Sequence, residues 1–280
     1  MPSSKVWFIT GASRGFGRIW AEAALRRSDK VIATARNLSD LDGLTTAFGD
    51  AVLTLPLDVR DRDAVFAAVR EGHRHFGRLD VVLCNAGYGY MGALEELEAD
   101  AVKASFDTNV FGVLWTIQAA MPILRAQASG HILTVSSIGG VIAFPTGGTY
   151  TATKFAVEAM SEALAGEAAA FGVRVTIIEP GHFATGFGAA VQIPPAIDAY
   201  GPVRQAVRAA FRPEDVGDPT ATSTAIFAAV DADQPPLRLA LGASAVAKFQ
   251  AAYAARLRNW SEWETVSNAA QGNVQIPEAV

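Results

Sequence analysis

The residues that first suggest chemistry are Tyr150 and Lys154, four positions apart in the segment TYTATKFAVEAM. The segment has helical periodicity, so the two side chains should share one face of a helix. A neighbouring ammonium favours a phenolate and lowers the pKa of a phenol from its usual value of about 10, which makes the tyrosine a usable acid or base near neutral pH. With five tyrosines and five lysines in 280 residues, such a pair arises by chance about 0.1 times, so the rest of the chain must decide its meaning.

A glycine-rich turn near the N-terminus is the second candidate. The segment FITGASRGFG places Gly11, Gly15 and Gly17 between a short apolar run and an amphipathic one. This position between two predicted elements is stronger evidence for a nucleotide-binding turn than the glycine spacing alone, which arises about 0.2 times by chance. Glycines let a pyrophosphate approach the backbone, and the N-terminus of the following helix favours negative charge. The turn therefore predicts a dinucleotide cofactor.

The end of the second apolar run, VIATARN, bears on which dinucleotide binds. Folds that prefer NAD(H) usually carry an acidic residue there, which binds the adenine ribose. This chain has Ala35 and Arg36, with Arg14 nearby in the glycine turn. Two guanidiniums would bind a 2′-phosphate through charge-assisted hydrogen bonds. The pattern favours NADP(H), and NAD(H) stays possible if both arginines simply face water.

The elements that must position these residues can be read from an alternation along the chain. Amphipathic stretches such as DAVFAAVREGHRHFG separate short apolar runs. Strands that are apolar on both faces and separated by helices indicate a parallel sheet covered on each side. The predicted fold class is α/β, with about seven strands in one doubly wound parallel sheet and helices on both faces. The strand candidates are KVWFIT, KVIATA, AVLTLPL, LDVVLCNAG, GHILTVSS, VRVTIIEPG and LRLALG.

No linker or shift in composition divides the chain, so residues 1–280 are predicted to form a single domain. Residues 186–212 interrupt the alternation with three prolines and no strand pattern. They follow the sixth strand, whose carboxyl end lies where such sheets bind ligands, and long insertions are often functional. We expect a mobile lid over an apolar substrate; the alternative is a surface segment that only closes the core. Residues 242–280 should form a C-terminal helix and tail.

Composition limits the function classes. Half of the residues are hydrophobic, and a net charge of -5 without basic runs argues against a nucleic-acid partner. The single Cys84 excludes an intramolecular disulfide, and its apolar neighbours predict a buried thiol in a reducing compartment. No apolar run is long enough for a secretory signal or a bilayer span, so a cytoplasmic protein without membrane contact is expected. The four scattered histidines predict no metal site.

Several motifs occur together in one order along the chain: TGASRGFG, LDV at 57–59, NAG at 85–87, NVFG at 109–112, VSS at 135–137, YTATK at 150–154 and PGHFAT at 180–185. In order and spacing they resemble the short-chain dehydrogenase/reductase family, in particular its steroid and retinol dehydrogenases and bacterial ketoreductases. The resemblance covers residues 5 to about 185. It implies a Rossmann-type fold and a homodimer or homotetramer formed through the helices near 109–127 and 149–171.

The resemblance also implies roles for individual residues. Asn109, Ser137, Tyr150 and Lys154 match the catalytic tetrad of the family. His182, Phe187 and Tyr200 are candidates for substrate contacts, with a structural loop histidine as the alternative for His182. The implied cofactor contacts are Gly11, Ser13, Arg14, Gly15, Phe16, Gly17, Arg36, Asp58, Val59, Asn85, Ala86, Gly87, Tyr150, Lys154, Pro180, Gly181 and Thr185.

In the family, the tyrosine exchanges a proton with the substrate oxygen, the serine donates a hydrogen bond to it, the lysine also binds the nicotinamide ribose, and the asparagine holds a water. These roles predict an NADP(H)-dependent oxidoreductase that interconverts a ketone or aldehyde and an alcohol. The predicted lid favours a lipophilic or aromatic substrate. Two alternatives stay open: an NAD-dependent secondary-alcohol dehydrogenase, and a regulator that senses the nucleotide without turnover.

Overall fold

The computed structural model describes residues 4–272 and contains one parallel sheet of seven strands in the order β3-β2-β1-β4-β5-β6-β7. Each of the seven apolar runs contributes one strand, so the predicted fold class is confirmed. The strands are β1 (Val6–Ile9), β2 (Lys30–Ala35), β3 (Val52–Pro56), β4 (Val81–Cys84), β5 (Gly130–Val135), β6 (Val173–Pro180) and β7 (Arg238–Leu241).

Helices cover both faces of the sheet. Phe8 belongs to an apolar layer with residues of α3, α5 and α6, and the preceding Trp7 belongs to a second layer with residues of α1, α2 and α8. This alternation follows from the two-residue period of a strand. The helices within the described residues are α1 (Gly15–Arg26), α2 (Asp42–Phe48), α3 (Arg62–Phe76), α4 (Ala99–Phe106), α5 (Gly112–Gln127), α6 (Gly148–Ala169), α7 (Gly201–Ala210), α8 (Thr222–Asp231), α9 (Ala245–Glu262) and α10 (Glu264–Ala269).

The order of the strands reverses beside β1, and this reversal locates a crevice. From β1 the chain proceeds outward to β2 and β3, and then returns to β4 on the other side of β1. Ligands bind such sheets at this point, beyond the carboxyl ends of the strands. The side chain of Thr10, just after β1, accepts hydrogen bonds from the backbone amides of Asn85 (2.9 Å) and Ala86 (3.1 Å), which fixes the two loops to each other.

A π-helical turn at Asp107–Phe111 joins α4 to α5. Such turns interrupt regular helices frequently at functional sites, and this one carries Asn109, which is fully buried. Gly112 follows directly. A Cβ there would lie 2.7 Å from a methyl group of Val59, so glycine is needed for the helix to pass this close to the loop after β3.

The C-terminal helices α9 and α10 lie on the outside of the molecule. Arg256 of α9 donates a hydrogen bond to the Val141 carbonyl (2.9 Å), whereas Trp260 and Trp263 are exposed. The predicted C-terminal helix and tail is thus seen as two helices, and residues 273–280 lie outside the described residues. Within residues 4–272, no helix is both long and apolar enough to cross a membrane.

His131 is a buried ionisable group of the sheet, at the start of β5. The Thr176 hydroxyl donates to the Pro236 carbonyl (2.7 Å), so it accepts from His131 Nε2 (2.9 Å), and the proton of the neutral ring lies on Nε2. Burial, and then the charges of Arg174 and Lys5, lower the pKa of His131 to about 3.

We therefore expect acid to destabilise the fold through His131. The folded state keeps the ring neutral while the unfolded state binds a proton below its ordinary pKa of about 6.5, so stability is lost as pH falls from there toward 3. Between pH 7.5 and 5, this linkage is worth about 2 kcal/mol. Urea unfolding of His131→Gln should show a pH dependence smaller by about that amount, whereas His75→Gln, at the exposed end of α3, should follow the wild type. Equal pH dependence in wild type and His131→Gln would contradict this assignment.

Candidate active site

A cleft of about 540 Å³ lies at the carboxyl edge of the sheet, where the strand order reverses. Its walls come from the glycine turn, the loops after β2 to β6, and the beginning of residues 186–212. Nineteen of the residues singled out from the sequence line it: Gly11, Ser13, Arg14, Gly15, Phe16, Arg36, Asp58, Val59, Asn85, Ala86, Gly87, Ser137, Tyr150, Lys154, Pro180, Gly181, His182, Thr185 and Phe187.

Three predicted site residues do not line this cleft. Gly17 and Asn109 lie behind residues that line the cleft. Gly17 packs against Asn85, and Asn109 lies beside Gly87. Tyr200 is in a different place, since its hydroxyl donates a hydrogen bond to the Glu95 carboxylate (2.7 Å) outside the cleft. This hydrogen bond ties residues 186–212 to Glu95, and Tyr200 does not line the cleft.

The glycine turn is shaped for a close backbone approach. Gly11 and Gly15 have φ angles of 69° and 57°, in the left-handed region that favours glycine. Gly17 sits against Asn85, and a Cβ there would lie 2.5 Å from Asn85 Nδ2. That nitrogen donates to the carbonyls of Thr10 (3.0 Å) and Gly11 (2.9 Å). Asn85 thus holds the turn, whose amides at the N-terminus of α1 suit a phosphate.

Positive charge gathers where β2 and β3 end. Arg14 and Arg36 both line the cleft, as the sequence predicts. Arg60 does as well, and sequence reasoning missed it. It forms a two-pronged ion pair with Asp58, with Nη2 2.6 Å from Oδ2, and this pairing is the main reason that the pKa of Asp58 is lowered. Since Asp58 is neutralised by Arg60, it offers a 2′-phosphate little repulsion.

Tyr150 and Lys154 are both buried at the opposite end of the cleft. The predicted lowering of the phenol pKa is wrong for this structure, because burial raises the pKa of Tyr150 to about 12, and the hydrogen bond with Ser137 only partly offsets it. Burial also lowers the pKa of Lys154 to about 8. The ammonium donates to the Val135 carbonyl (2.8 Å) and lies 5.9 Å from the centre of the phenol ring. At neutral pH the phenol is therefore a proton donor.

Ser137 follows the end of β5 and is held in place by its own loop. Its Oγ accepts a hydrogen bond from the Gly139 amide (3.0 Å), which leaves the hydroxyl proton free to point toward the phenol side of the cleft. The hydroxyl favours the phenolate form of Tyr150, in keeping with a hydrogen bond between the two. Ser137 and Tyr150 can thus both donate to one oxygen atom.

Asn109 supports the floor of this end of the cleft. Its side chain accepts from the Tyr88 amide (3.0 Å) and donates to the Tyr88 carbonyl (2.8 Å) and the Thr153 hydroxyl (3.1 Å). A Cβ on Gly87 would lie 3.0 Å from Asn109 Oδ1 and 3.6 Å from Lys154 Nζ, so glycine leaves room for both polar groups. Asn109 therefore orders the loop after β4 beside the lysine.

The space above Tyr150 is mainly apolar. Phe187 packs on the phenol ring with centroids 5.5 Å apart, and Met91, Ile138 and Phe144 also line the wall. His182 faces the cleft on one side and contacts Phe211 on the other, with centroids 5.4 Å apart. Burial, followed by the Lys248 charge, lowers the pKa of His182, so it is neutral at pH 7.

Residues 186–212 are fastened to the body at two places. The Gln192 carbonyl accepts from the Met91 amide (3.0 Å), and the Gln192 amide donates to the Gly89 carbonyl (2.9 Å). Farther along, the buried Glu96 carboxylate binds the Arg204 guanidinium (2.5 Å) and the Ile197 amide (2.8 Å). These contacts hold the segment over the apolar end of the cleft.

Comparison with known proteins indicates the same family as the sequence motifs. A model of the family described as short chain dehydrogenase matches residues 5–194. The oxidoreductase BOA17 of Botryotinia fuckeliana is 41% identical over 248 residues, which are 87% of this chain and 90% of the relative. Human 17-beta-hydroxysteroid dehydrogenase type 1 is 39% identical over 193 residues, which are 65% of this chain and 58% of the relative.

Solved structures extend the likeness to proteins with bound cofactor. A short-chain dehydrogenase from Streptomyces avermitilis has a TM-score of 0.88 and 39% identity, covering 96% of this chain and 99% of its own. An alcohol dehydrogenase from Thermococcus sibiricus, complexed with 5-hydroxy-NADP, has a TM-score of 0.73 and 27% identity, with 86% and 97% covered. A short-chain dehydrogenase/reductase from Burkholderia phymatum, in complex with NAD, has a TM-score of 0.76 and 26% identity, with 99% of each chain covered. The cleft thus fits a nicotinamide cofactor.

The packing at Gly17 yields a test of the glycine turn. Gly17→Ala should push Asn85 away from the carbonyls it holds, with a loss of about 1–3 kcal/mol in unfolding free energy and nucleotide affinity about tenfold lower or worse. Urea unfolding and fluorescence titration with NADPH would measure the two effects. The control is Gly166→Ala in α6, where no atom lies within 4 Å of the added Cβ, so affinity should be unchanged. Undiminished nucleotide binding in Gly17→Ala would contradict the packing argument.

Proposed function

We propose, from the premise that the chain belongs to the short-chain dehydrogenase family, that it is an NADP(H)-dependent oxidoreductase interconverting a ketone or aldehyde and the corresponding alcohol. The observation that supports this most is the convergence of Ser137, Tyr150 and Lys154 at one end of a cleft whose other end carries the glycine turn and the arginines. A dinucleotide that spans the cleft would bring its nicotinamide to the phenol.

The glycine turn, Asn85 and the arginines would hold the adenine and phosphate end of the cofactor, and Lys154 with the loop at Pro180 and Gly181 would hold the nicotinamide end. When bound, the nicotinamide supplies or accepts the hydride. Gly11 and Gly15 fit such a ligand, because their left-handed φ angles let the turn present its backbone to a phosphate. Gly87 leaves room for Asn109 and Lys154 at the nicotinamide end.

The residues of the chain would handle the proton and the charge. During reduction, the Tyr150 hydroxyl gives its proton to the carbonyl oxygen, and Ser137 donates a hydrogen bond to the same atom as negative charge develops there. Lys154 stabilises the phenolate left behind, because its ammonium lies near the ring. In the oxidative direction the same proton returns to Tyr150.

The preference for NADP(H) is supported by charge at the adenine end. Ala35 stands where an acidic residue would meet the ribose, and Arg36 and Arg14 stand beside it. Asp58 is already paired with Arg60, so it does not oppose a 2′-phosphate. These contacts favour the phosphorylated cofactor.

The substrate is proposed to be lipophilic or aromatic. Phe187, Met91, Ile138 and Phe144 form the wall above Tyr150, and neutral His182 adds a polar atom at its edge. Residues 186–212 would act as a lid, since Phe187 must leave the phenol ring before a carbonyl can reach it. A relative named for a hydroxysteroid is consistent with this class of substrate.

Replacement of the proposed proton donor is the sharpest test of the mechanism. Tyr150→Phe removes the proton but keeps the ring, so NADPH binding should persist while turnover of an aryl ketone falls about 10²–10⁴-fold. Steady-state assays at 340 nm and fluorescence titration separate the two. Tyr253→Phe on the exposed side of α9 serves as the control and should behave as wild type. Turnover near the wild-type rate in Tyr150→Phe would refute the mechanism.

The cofactor preference has its own test at Arg36. Arg36→Ala should weaken NADPH about tenfold or more, because a charge-assisted hydrogen bond to the 2′-phosphate is lost, while NADH affinity should change little. Paired titrations with both cofactors would measure this, with Arg26→Ala, exposed at the end of α1, as the control. Equal losses for both cofactors would refute the phosphate contact and favour the NAD-dependent alternative.

A further inference from the structure

The helix that carries Tyr150 and Lys154 carries a third buried ionisable residue, Glu158, which the proposed mechanism does not use. The three residues follow one another at four-residue spacing along one face of α6. Side chains of a helix lean toward its N-terminus, so the Glu158 carboxylate leans toward the turn that bears Lys154. Both residues are 5% exposed. A carboxylate buried this deeply without a compensating charge would destabilise the fold, so Glu158 requires charged or polar partners.

Arg238 of β7 provides part of the compensation. Its guanidinium contacts Glu158, the buried Glu179 of β6 (3.1 Å) and the exposed Glu162 (2.8 Å). Burial, and then the Glu158 charge, raise the pKa of Glu179 to about 7. Burial thus favours the protonated form of Glu179, and the Glu158 carboxylate contacts the arginine.

The second oxygen of Glu158 lies near Ser136, just after the end of β5. Glu158 Oε1 is buried without a hydrogen-bond partner among residues 4–272, and so is Ser136 Oγ. Both lie against Gly140, where an added Cβ would be 3.0 Å from Glu158 Oε1. Ser136 follows Val135, whose carbonyl accepts from Lys154 Nζ. One carboxylate oxygen is thus held by Arg238, and the other is free beside the end of β5 that binds the lysine.

We propose that Glu158, oriented by Arg238, is a positioning residue that keeps the Lys154 ammonium charged inside the closed active site; the inference rests on the function proposed above. Burial strips water from the ammonium and disfavours its charge, and the Glu158 carboxylate acts against that loss. Without Glu158 the lysine would lose its proton at lower pH, and the phenolate of Tyr150 would lose the cation that stabilises it.

The other groups around Lys154 do not supply this charge. Tyr150 on α6 is a neutral phenol at pH 7, and Asn109 and Ser136 are uncharged. The remaining charged groups, Glu162 on α6, Glu179 on β6 and Arg238 on β7, gather around Glu158. Among them, Glu158 stands one helical turn from the lysine and Glu162 stands two turns away.

The test is a direct titration of Lys154 in the protein without cofactor. The chain has five lysines, so ¹³Cε-labelled lysine gives a simple NMR spectrum in which Lys154→Met assigns the signal. In Glu158→Gln, the titration midpoint of Lys154 should fall by about one pH unit. Glu162→Gln also removes a carboxylate from Arg238, but from the exposed side, and should leave the midpoint in place. The alkaline limb of the kcat profile should shift as the midpoint does, with KM for NADPH little changed.

An unchanged Lys154 midpoint in Glu158→Gln, or an equal shift in Glu162→Gln, would overturn the proposal. If Glu158→Gln does not fold, Glu158→Gln with Arg238→Met removes the buried pair together, which proteins often tolerate. A smaller fall of the midpoint is then expected, because the arginine charge is lost as well. Glu158→Asp keeps the charge and should retain most of the wild-type midpoint. The titration does not depend on turnover. A wild-type protein that binds NADPH but reduces no carbonyl would count against the proposed function, and the titration midpoint of Lys154 could still be measured and compared between the variants.

Discussion

The burial of one ammonium group constrains the arrangement of the whole active site. Lys154 is 5% exposed, and a charged group at that depth needs hydrogen-bond acceptors and an opposite charge close by. Val135 supplies a carbonyl at the end of β5, and α6 places Tyr150 one turn before the lysine and Glu158 one turn after it. The end of β5, the helix α6 and the proposed proton donor thus meet around the lysine.

At the opposite end of the cleft, close packing and hydrogen bonds hold the glycine turn in place. Gly17 and Asn85 meet so closely that the glycine turn is fixed to the loop after β4, and Thr10 fixes that loop to the end of β1. Because this backbone is held from two sides, its amides are already ordered before a phosphate binds, and binding loses little further conformational entropy. The two ends therefore achieve rigidity by different means within one sheet edge.

Much of this could be predicted from the sequence, for reasons that particular residues make plain. Strands such as VVLC are uniformly apolar, and the glycine turn and Tyr150 with Lys154 lie in short local patterns, so their positions follow from the order of the strands. The spacing of residues along the chain carries no information on their burial. The sequence therefore predicts a lowered pKa for Tyr150, whereas burial raises it to about 12. Arg60 resembles any exposed arginine until its ion pair with Asp58 is seen. The sequence predicts Tyr200 as a substrate contact from its place in residues 186–212, and only the structure shows its hydroxyl bound to the distant Glu95.

The chain that leads into residues 186–212 contacts both halves of the cleft within three residues, 185–187. Thr185 faces Gly15 of the glycine turn, and Phe187, two residues later, covers Tyr150. A displacement that uncovers the phenol must therefore also disturb the dinucleotide end, because so few backbone bonds separate them. A ligand seated at the glycine turn would therefore influence how readily Phe187 leaves the phenol ring.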